Sequence, residues 1–274
     1  MNRLQQVQLD ILQELGRVCQ RHDIRYFLFS GTLLGAIRHN GFIPWDDDVD
    51  VVMLRDEYER FVHLPKEEFG PNYFLQTNAT DPEYHNIYAK LRRSDTTFVE
   101  EYMEHRHINH GVFIDIFPMD GVPEGRLAQA LFWWPISVLG YTATLKAFKK
   151  EPKPHLRFPF LLFKWFFPFD GASMMRAYGR LIKMIDVGGT SKVGFLTHPG
   201  FPLDHVVYEK GWFSSAVTVD YEGLPFPAPV EHHKVLTHLF GDYMQAPPQE
   251  MRVSHHGATV IDTERPYKER VNEV

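Results

Sequence analysis

Cys19 is the only cysteine among the 274 residues, which excludes an intrachain disulfide and any cluster of thiolate metal ligands. Such a composition suits a reducing compartment. Met1 to Asp10 is polar and lacks the apolar core of a secretory signal, so a cytoplasmic protein is expected. Basic residues are not in excess: 29 Lys and Arg stand against 35 Asp and Glu, a formal charge of −6. That balance argues against a partner held by its phosphate backbone, and no nucleic acid is expected. An anionic small molecule would have to be met by a local group of cations or by a metal. Apolar runs of bilayer length are missing as well. Leu127 to Tyr141 contains Pro135, and Phe158 to Phe169 contains Lys164; both fall short of the roughly 20 residues that a spanning helix needs. No repeat or low-complexity tract is visible. What is there is ordinary for a globular chain, 44% hydrophobic and 23% charged, and it is long enough for a substantial core.

Apolar periodicity places the elements. Leu4, Val7, Ile11, Leu15, Val18 and His22 recur at spacings of three and four, which predicts an amphipathic helix. Tyr26 to Phe29 reads as a short buried strand, Ser30-Gly31-Thr32 as a turn, and Leu33 to Ile37 as the start of the next helix. After the loop carrying Gly41 and Pro44, Val49 to Leu54 reads as a strand and Arg55 to Leu64 as a helix. Further strands are expected at Tyr73 to Thr77, Asn86 to Arg92 and Val112 to Phe117. The alternation defines an α/β fold with a mixed sheet. The pattern changes after Pro118, where a helical insertion is placed, with another helix at Arg176 to Ile185 and one near Val235 to Phe240. We expect a single domain over 1–274, with the insertion at 121–185.

The chemistry concentrates at Asp46-Asp47-Asp48-Val49-Asp50. Side chains alternate along a strand, so Asp48 and Asp50 share a face about 6.5 Å apart while Val49, Val51 and Met53 face the core. Carboxylates held that close repel unless a cation lies between them. Oxygen ligands on a rigid strand suit Mg²⁺ or Mn²⁺. Asp115 interrupts the apolar strand Gly111 to Phe117. With Ile114 and Ile116 inward it points the other way, where it would join Asp48 and Asp50, or else it caps a strand end. Gly31-Thr32 is a small-residue turn at a helix start, where exposed N–H groups suit phosphate.

Two blocks, Phe29-Ser30-Gly31-Thr32-Leu33-Leu34-Gly35-Ala36-Ile37-Arg38-His39 and Gly41-Phe42-Ile43-Pro44-Trp45-Asp46-Asp47-Asp48-Val49-Asp50, closely resemble the LicD family of bacterial phosphocholine transferases and the related fukutin-type ribitol-phosphate transferases. The likeness continues at Ala89 to Arg93, Phe113 to Pro118, Tyr221-Glu222-Gly223, Phe226 to Pro229, Phe240 to Met244 and His255-His256. It leaves out the Leu127 to Phe169 insertion. Ser30 stands where relatives often carry Gly, and Tyr221 where Phe is frequent.

The resemblance implies a nucleotidyltransferase-like mixed sheet flanked by helices. It makes Asp48, Asp50 and Asp115 the catalytic metal ligands, with Asp46 joining them, and it implies a CDP-linked donor such as CDP-choline. The acceptor would be a hydroxyl of a cell-surface glycan, free or lipid-linked, in lipopolysaccharide or teichoic acid biosynthesis. Asp115 is the candidate for taking the acceptor proton. Lys90 and Arg92, two apart on one strand, are placed on the donor pyrophosphate or on a solvated face, and Arg38 on phosphate or in solvent. His255 and His256 are adjacent, so at most one lines the site. A quaternary ammonium calls for aromatic faces, with Trp45, Tyr102 and Trp212 as candidates. Competing readings are nucleotidyl transfer with loss of pyrophosphate, and a scaffold that binds glycan or lipid without catalysis. Lys146, Lys149, Lys150, Lys153 and Arg157 lie between apolar segments, which suits either an anionic-lipid patch peripheral to a membrane or a helical cap with its cations in water.

Overall fold

The computed structural model describes residues 1–148, 169–252 and 257–271. Helix α1 (Arg3–Arg21) opens on a capping box in which Asn2 and Gln5 satisfy each other's backbone N–H groups. Its apolar stripe is buried, Val7, Ile11, Leu15 and Val18 among it. The chain then makes β1 (Phe27–Leu28), α2 (Ser30–His39), β2 (Asp50–Leu54) and α3 (Arg55–Val62). Ser30-Gly31-Thr32, expected as a turn, is instead the first turn of α2. No side chain caps this helix, and the Thr32 hydroxyl accepts from the Asp50 N–H at 2.8 Å, which ties the helix start to the head of β2.

Next come β3 (Tyr73–Gln76), β4 (Ala89–Arg93), β5 (Thr97–Glu100) and β6 (Val112–Val122). Helices α4 (Arg126–Ala147) and α5 (Gly171–Leu181) precede β7 (Lys192–Gly194), β8 (Val207–Glu209), β9 (Ala216–Tyr221) and β10 (Leu224–Pro229). Helix α6 (His232–Phe240) and β11 (Ala258–Asp262) follow. The main sheet runs β1-β2-β6-β4-β3, with β7 on the far end of β6 and β8 beside β7. Strands β2 and β6 are parallel and the other pairs antiparallel, so the sheet is mixed, as in the nucleotidyltransferase-like α/β fold.

Strand β6 runs five residues past its expected end at Phe117. Its pairing with β4 stops at Ile116, so Pro118 meets no partner on that edge, where a missing N–H does no harm. Asp120 to Val122 then pair with β7. Arg55 holds Asp120 by two bonds, at 2.6 and 2.9 Å, so this buried carboxylate is part of the frame.

The largest core lies between the sheet and α1, α2 and α3, with Leu12, Val51, Phe61, Ile114 and Ile116 inside it. Two smaller clusters seat α4 and α5, one around Tyr84, Ala143 and Met175, the other around Trp133, Tyr178 and Ile182. Helix α4 continues through Pro135, which is exposed along with Leu131. The carbonyl freed by the proline belongs to Leu131 and faces water, so the interruption costs little. No described helix is long and apolar enough to cross a membrane. Of the expected basic group only Lys146 is described; Lys149, Lys150, Lys153 and Arg157, like His255 and His256, lie outside the described residues.

Candidate active site

Asp50 and Asp115 are direct register partners on the parallel strands β2 and β6. Adjacent strands lie about 4.8 Å apart, so the pair meets at the head of the sheet. Three hydrogen bonds fix that head. The Phe29 N–H donates to the Asp50 carbonyl at 3.0 Å and the Asp115 N–H to the Val49 carbonyl at 2.8 Å, beside the Thr32 bond already described. The acidic loop is held from behind by two buried glutamines of α1. Gln5 Nε2 donates to the Asp46 carbonyl at 3.1 Å and Gln8 Nε2 to that of Asp47 at 2.7 Å.

Carboxylate oxygens of Asp46, Asp47 and Asp48 lie within 4.8 Å of one another. Asp47, absent from the expected ligand set, therefore belongs to the cluster. Burial pushes the Asp50 carboxyl well above the usual range, and the charges of Asp48, Asp115 and Asp46 push the same way against Lys90. A carboxyl so crowded by its own kind needs a cation to ionise comfortably. The donor set is all oxygen, which fits Mg²⁺ or Mn²⁺.

The start of α2 stands against this cluster. A Cβ at Gly31 would lie 2.8 Å from Asp46 Oδ2, so only glycine lets the helix N-terminus approach the carboxylates this closely. Ser30, Gly31, Arg38, Trp45, Asp46, Asp48 and Asp50 line a cavity of about 530 Å³, bordered also by Tyr243 and Gln245. Arg38 straps that border, donating to the Tyr243 carbonyl at 2.8 Å and the Gln245 carbonyl at 3.4 Å. Glu222, at φ +55°, braces the loop by accepting from the Phe42 N–H at 2.9 Å.

On the other side of the carboxylates, Asp115 borders a second cavity of about 910 Å³. Lys90 and Arg92 stand behind its wall, 1% and 0% exposed. Neither faces solvent. The Lys90 ammonium lies 2.9 Å from Asp115 Oδ1 and 3.0 Å from Glu100 Oε1, over the Phe113 ring. Arg92 bonds Glu100 at 2.9 Å, Gln76 at 2.5 Å and the Gly111 carbonyl at 2.7 Å. Burial alone would raise the Glu100 carboxyl, but the two cations outweigh it and hold it down at about 2. Arg92 thus touches the site only through Glu100, while Lys90 touches Asp115 itself.

Of the aromatic candidates, Tyr102 lines the second cavity and Trp45 the first. Trp212 packs against Tyr208 and His238, outside both. Sequence reasoning passed over Gln5, Gln8, Glu100 and His198. The glutamines had a readable signal, polar side chains set in the apolar stripe of α1. Glu100 and His198 had none, because what sets them apart is burial beside Lys90, Arg92 and an aromatic wall, which no local pattern marks.

His198 stacks on Phe195 and borders the second cavity. Burial, with help from Lys90, lowers its pKa from 6.5 to about 4, so the fold holds the neutral ring. Its stabilisation is complete above pH 6.5 and is lost as pH falls toward 4. Discounted for partial exposure, this amounts to about 1–2 kcal/mol. Urea midpoints at pH 7.5 and 5 should show wild type losing that much more stability than His198→Gln; equal losses would place the ring in ordinary solvent.

A mixed sheet with paired carboxylates at its head, beside a glycine-bearing helix N-terminus, defines a nucleotidyltransferase-type site competent for a divalent metal. Residues 23–170 match the family model described as LicD/FKTN/FKRP, nucleotidyltransferase domain. The chain belongs to the LicD family. It is 30% identical over 270 residues to the lipopolysaccharide cholinephosphotransferase LicD of Haemophilus influenzae, covering 92% of this chain and 94% of that protein. It is also 30% identical over 105 residues to the human ribitol 5-phosphate transferase FKRP, 38% of this chain and 19% of that one.

Proposed function

We propose that the protein transfers a phospho-substituent, phosphocholine or a phospho-polyol, from a CDP-linked donor to a hydroxyl of a cell-surface glycan precursor. The observation that carries this reading is the Asp50–Asp115 register pair, with a cavity opening on each side of the carboxylates. Asp46, Asp48, Asp50 and Asp115 would hold Mg²⁺ or Mn²⁺, which when bound neutralises phosphate charge.

The nucleotide occupies the cavity at α2. N–H groups of the first helical turn face its phosphates, and Arg38 keeps the strap of Tyr243 and Gln245 closed over it. Asp115, oriented by Lys90, faces the second cavity, from which the acceptor enters. The acceptor oxygen bonds to phosphorus as its proton passes to Asp115. The bond from phosphorus to the CMP oxygen breaks, and CMP leaves with that electron pair. The work of the chain is alignment and charge placement.

The test is CMP release by purified protein with Mg²⁺, a glycan acceptor and either CDP-choline or CDP-ribitol. Acceptor-dependent CMP is expected. Pyrophosphate from a nucleoside triphosphate, with no CMP from any CDP-linked donor, would replace this reading by nucleotidyl transfer.

A further inference from the structure

Helix α4 is apolar on both of its sides. From Leu127 to Leu145 it carries no charged residue over nineteen positions. One side packs on the fold through Trp133, Ile136 and Ala143. The other presents Leu127, Leu131 and Trp134, spaced by four and three, which are 76, 68 and 73% exposed. A helix hydrophobic all round ordinarily lies in apolar surroundings, and an exposed patch of this kind marks a surface that something covers.

Phe201, 52% exposed, extends the patch from the segment between β7 and β8. That segment is pinned to the helix. The Trp133 indole N–H donates to the Phe201 carbonyl at 3.2 Å, and the Gly200 N–H donates to the Ser137 hydroxyl at 3.0 Å. Between them runs a groove of about 590 Å³ whose described lining includes no charged side chain. The acids nearest to it in sequence, Glu124 and Asp204, are held by Ser191 and Arg126. Charge selects the occupant. Over 127–169 the sequence carries six Lys and Arg against Glu151 alone, although the chain as a whole stands at −6. A second copy of the chain on this face would bring like charge toward like across a two-fold axis, whereas an anionic surface would attract it. Pro135 supplies another argument. The Leu131 carbonyl that it frees would be stranded in a dry protein interface, but the headgroup layer of a bilayer is wet. No described helix is long and apolar enough to cross a membrane, so the contact is that of a helix lying flat.

We propose that the face of α4 made by Leu127, Leu131 and Trp134, together with Phe201, docks on the surface of an anionic lipid bilayer. Phe201 also borders the cavity beside Asp115, so a docked bilayer lies next to the mouth of that cavity. The use of this docking, to bring the site to an acceptor held at the membrane, rests on the transfer reading above; the docking itself does not.

Flotation of the full chain with vesicles of phosphatidylcholine alone, and of equimolar phosphatidylcholine and phosphatidylglycerol, tests the face. The chain should bind the anionic vesicles about tenfold more strongly than the neutral ones. Leu131→Ser combined with Trp134→Ser, both at exposed positions, should weaken that binding about tenfold. Ile261→Ser, at an exposed position on β11, should leave it unchanged. No flotation with either vesicle, equal flotation with both, or undiminished flotation of the double variant would overturn the proposal. So would a concentration-dependent dimer in sedimentation that the double variant abolishes, which would make the face a contact between copies. The comparison of vesicles needs only the wild-type chain, and an unchanged melting temperature in the double variant shows its loss to be local. Vesicle binding in this pattern without CMP release from any CDP-linked donor would keep the surface and sink the transfer reading. CMP release with no vesicle binding would do the reverse.

Discussion

Asp50→Asn is expected to abolish transfer while leaving the empty protein at least as stable as wild type. Asp50 sits where Asp48, Asp115 and Asp46 all act on it, and its carboxyl is pushed well above the ordinary range by burial and by those charges. A raised carboxyl pKa means that the fold disfavours the ionised form, so at neutral pH the charge at this position works against folding. The neutral amide removes that repulsion, a gain of about 1 kcal/mol, or about 2–4 °C in melting temperature for a chain of this size. The same change takes a proposed metal ligand out of the middle of the carboxylate group, between the loop acids and Asp115. A transfer rate lower by about three orders of magnitude follows, equivalent to roughly 4 kcal/mol of barrier. Thermal unfolding with and without MgCl₂ separates the two effects: Mg²⁺ should raise the melting point of wild type and leave Asp50→Asn unmoved. Retention of more than about a tenth of the activity, a loss under ~1.4 kcal/mol, would remove Asp50 from the metal site.

Much of this site was legible because its signals are local. The strand at Asp50 to Leu54, the alternation that separates Asp50 from Val51, and the single carboxylate in Val112 to Phe117 all follow from a two-residue period. The parallel register that sets Asp50 beside Asp115 was not readable, since pairing between strands some sixty residues apart depends on how the sheet closes. Burial of the basic strand was hidden for the same reason. Ala89 to Arg93 carries three cations in five residues and looks solvated until Glu100 and Asp115 arrive from β5 and β6. The α2 boundary shifted because the partner of the Thr32 hydroxyl is Asp50, eighteen residues away.

Lys90→Met is expected to reduce the turnover rate strongly without weakening nucleotide binding, because Lys90 acts through Asp115. The ammonium is buried 2.9 Å from Asp115 Oδ1 and 3.0 Å from Glu100 Oε1, so it joins two carboxylates from different strands. Removing it leaves both in a low-dielectric setting with one cation fewer, and breaking a buried pair in this way costs about 3–5 kcal/mol of stability. Arg92 still neutralises Glu100, so the unbalanced charge falls mainly on Asp115. That carboxylate then turns toward whatever donor it finds, and its orientation toward the site is lost. The double variant Lys90→Met with Glu100→Gln removes one charge of each sign and should recover part of the stability but not the activity. A direct bond from Lys90 to the donor's phosphates predicts something different, a raised KM for the donor with Mn²⁺ binding untouched. The positioning role predicts an unchanged donor KM, a kcat lower by about two orders of magnitude or more, and weaker Mn²⁺ binding in a titration followed by electron paramagnetic resonance. Lys90→Arg, which keeps the charge within reach of both carboxylates, should restore Mn²⁺ binding more fully than kcat. Mn²⁺ affinity unchanged or increased in folded Lys90→Met would mean that Lys90 supplies bulk charge and does not aim Asp115.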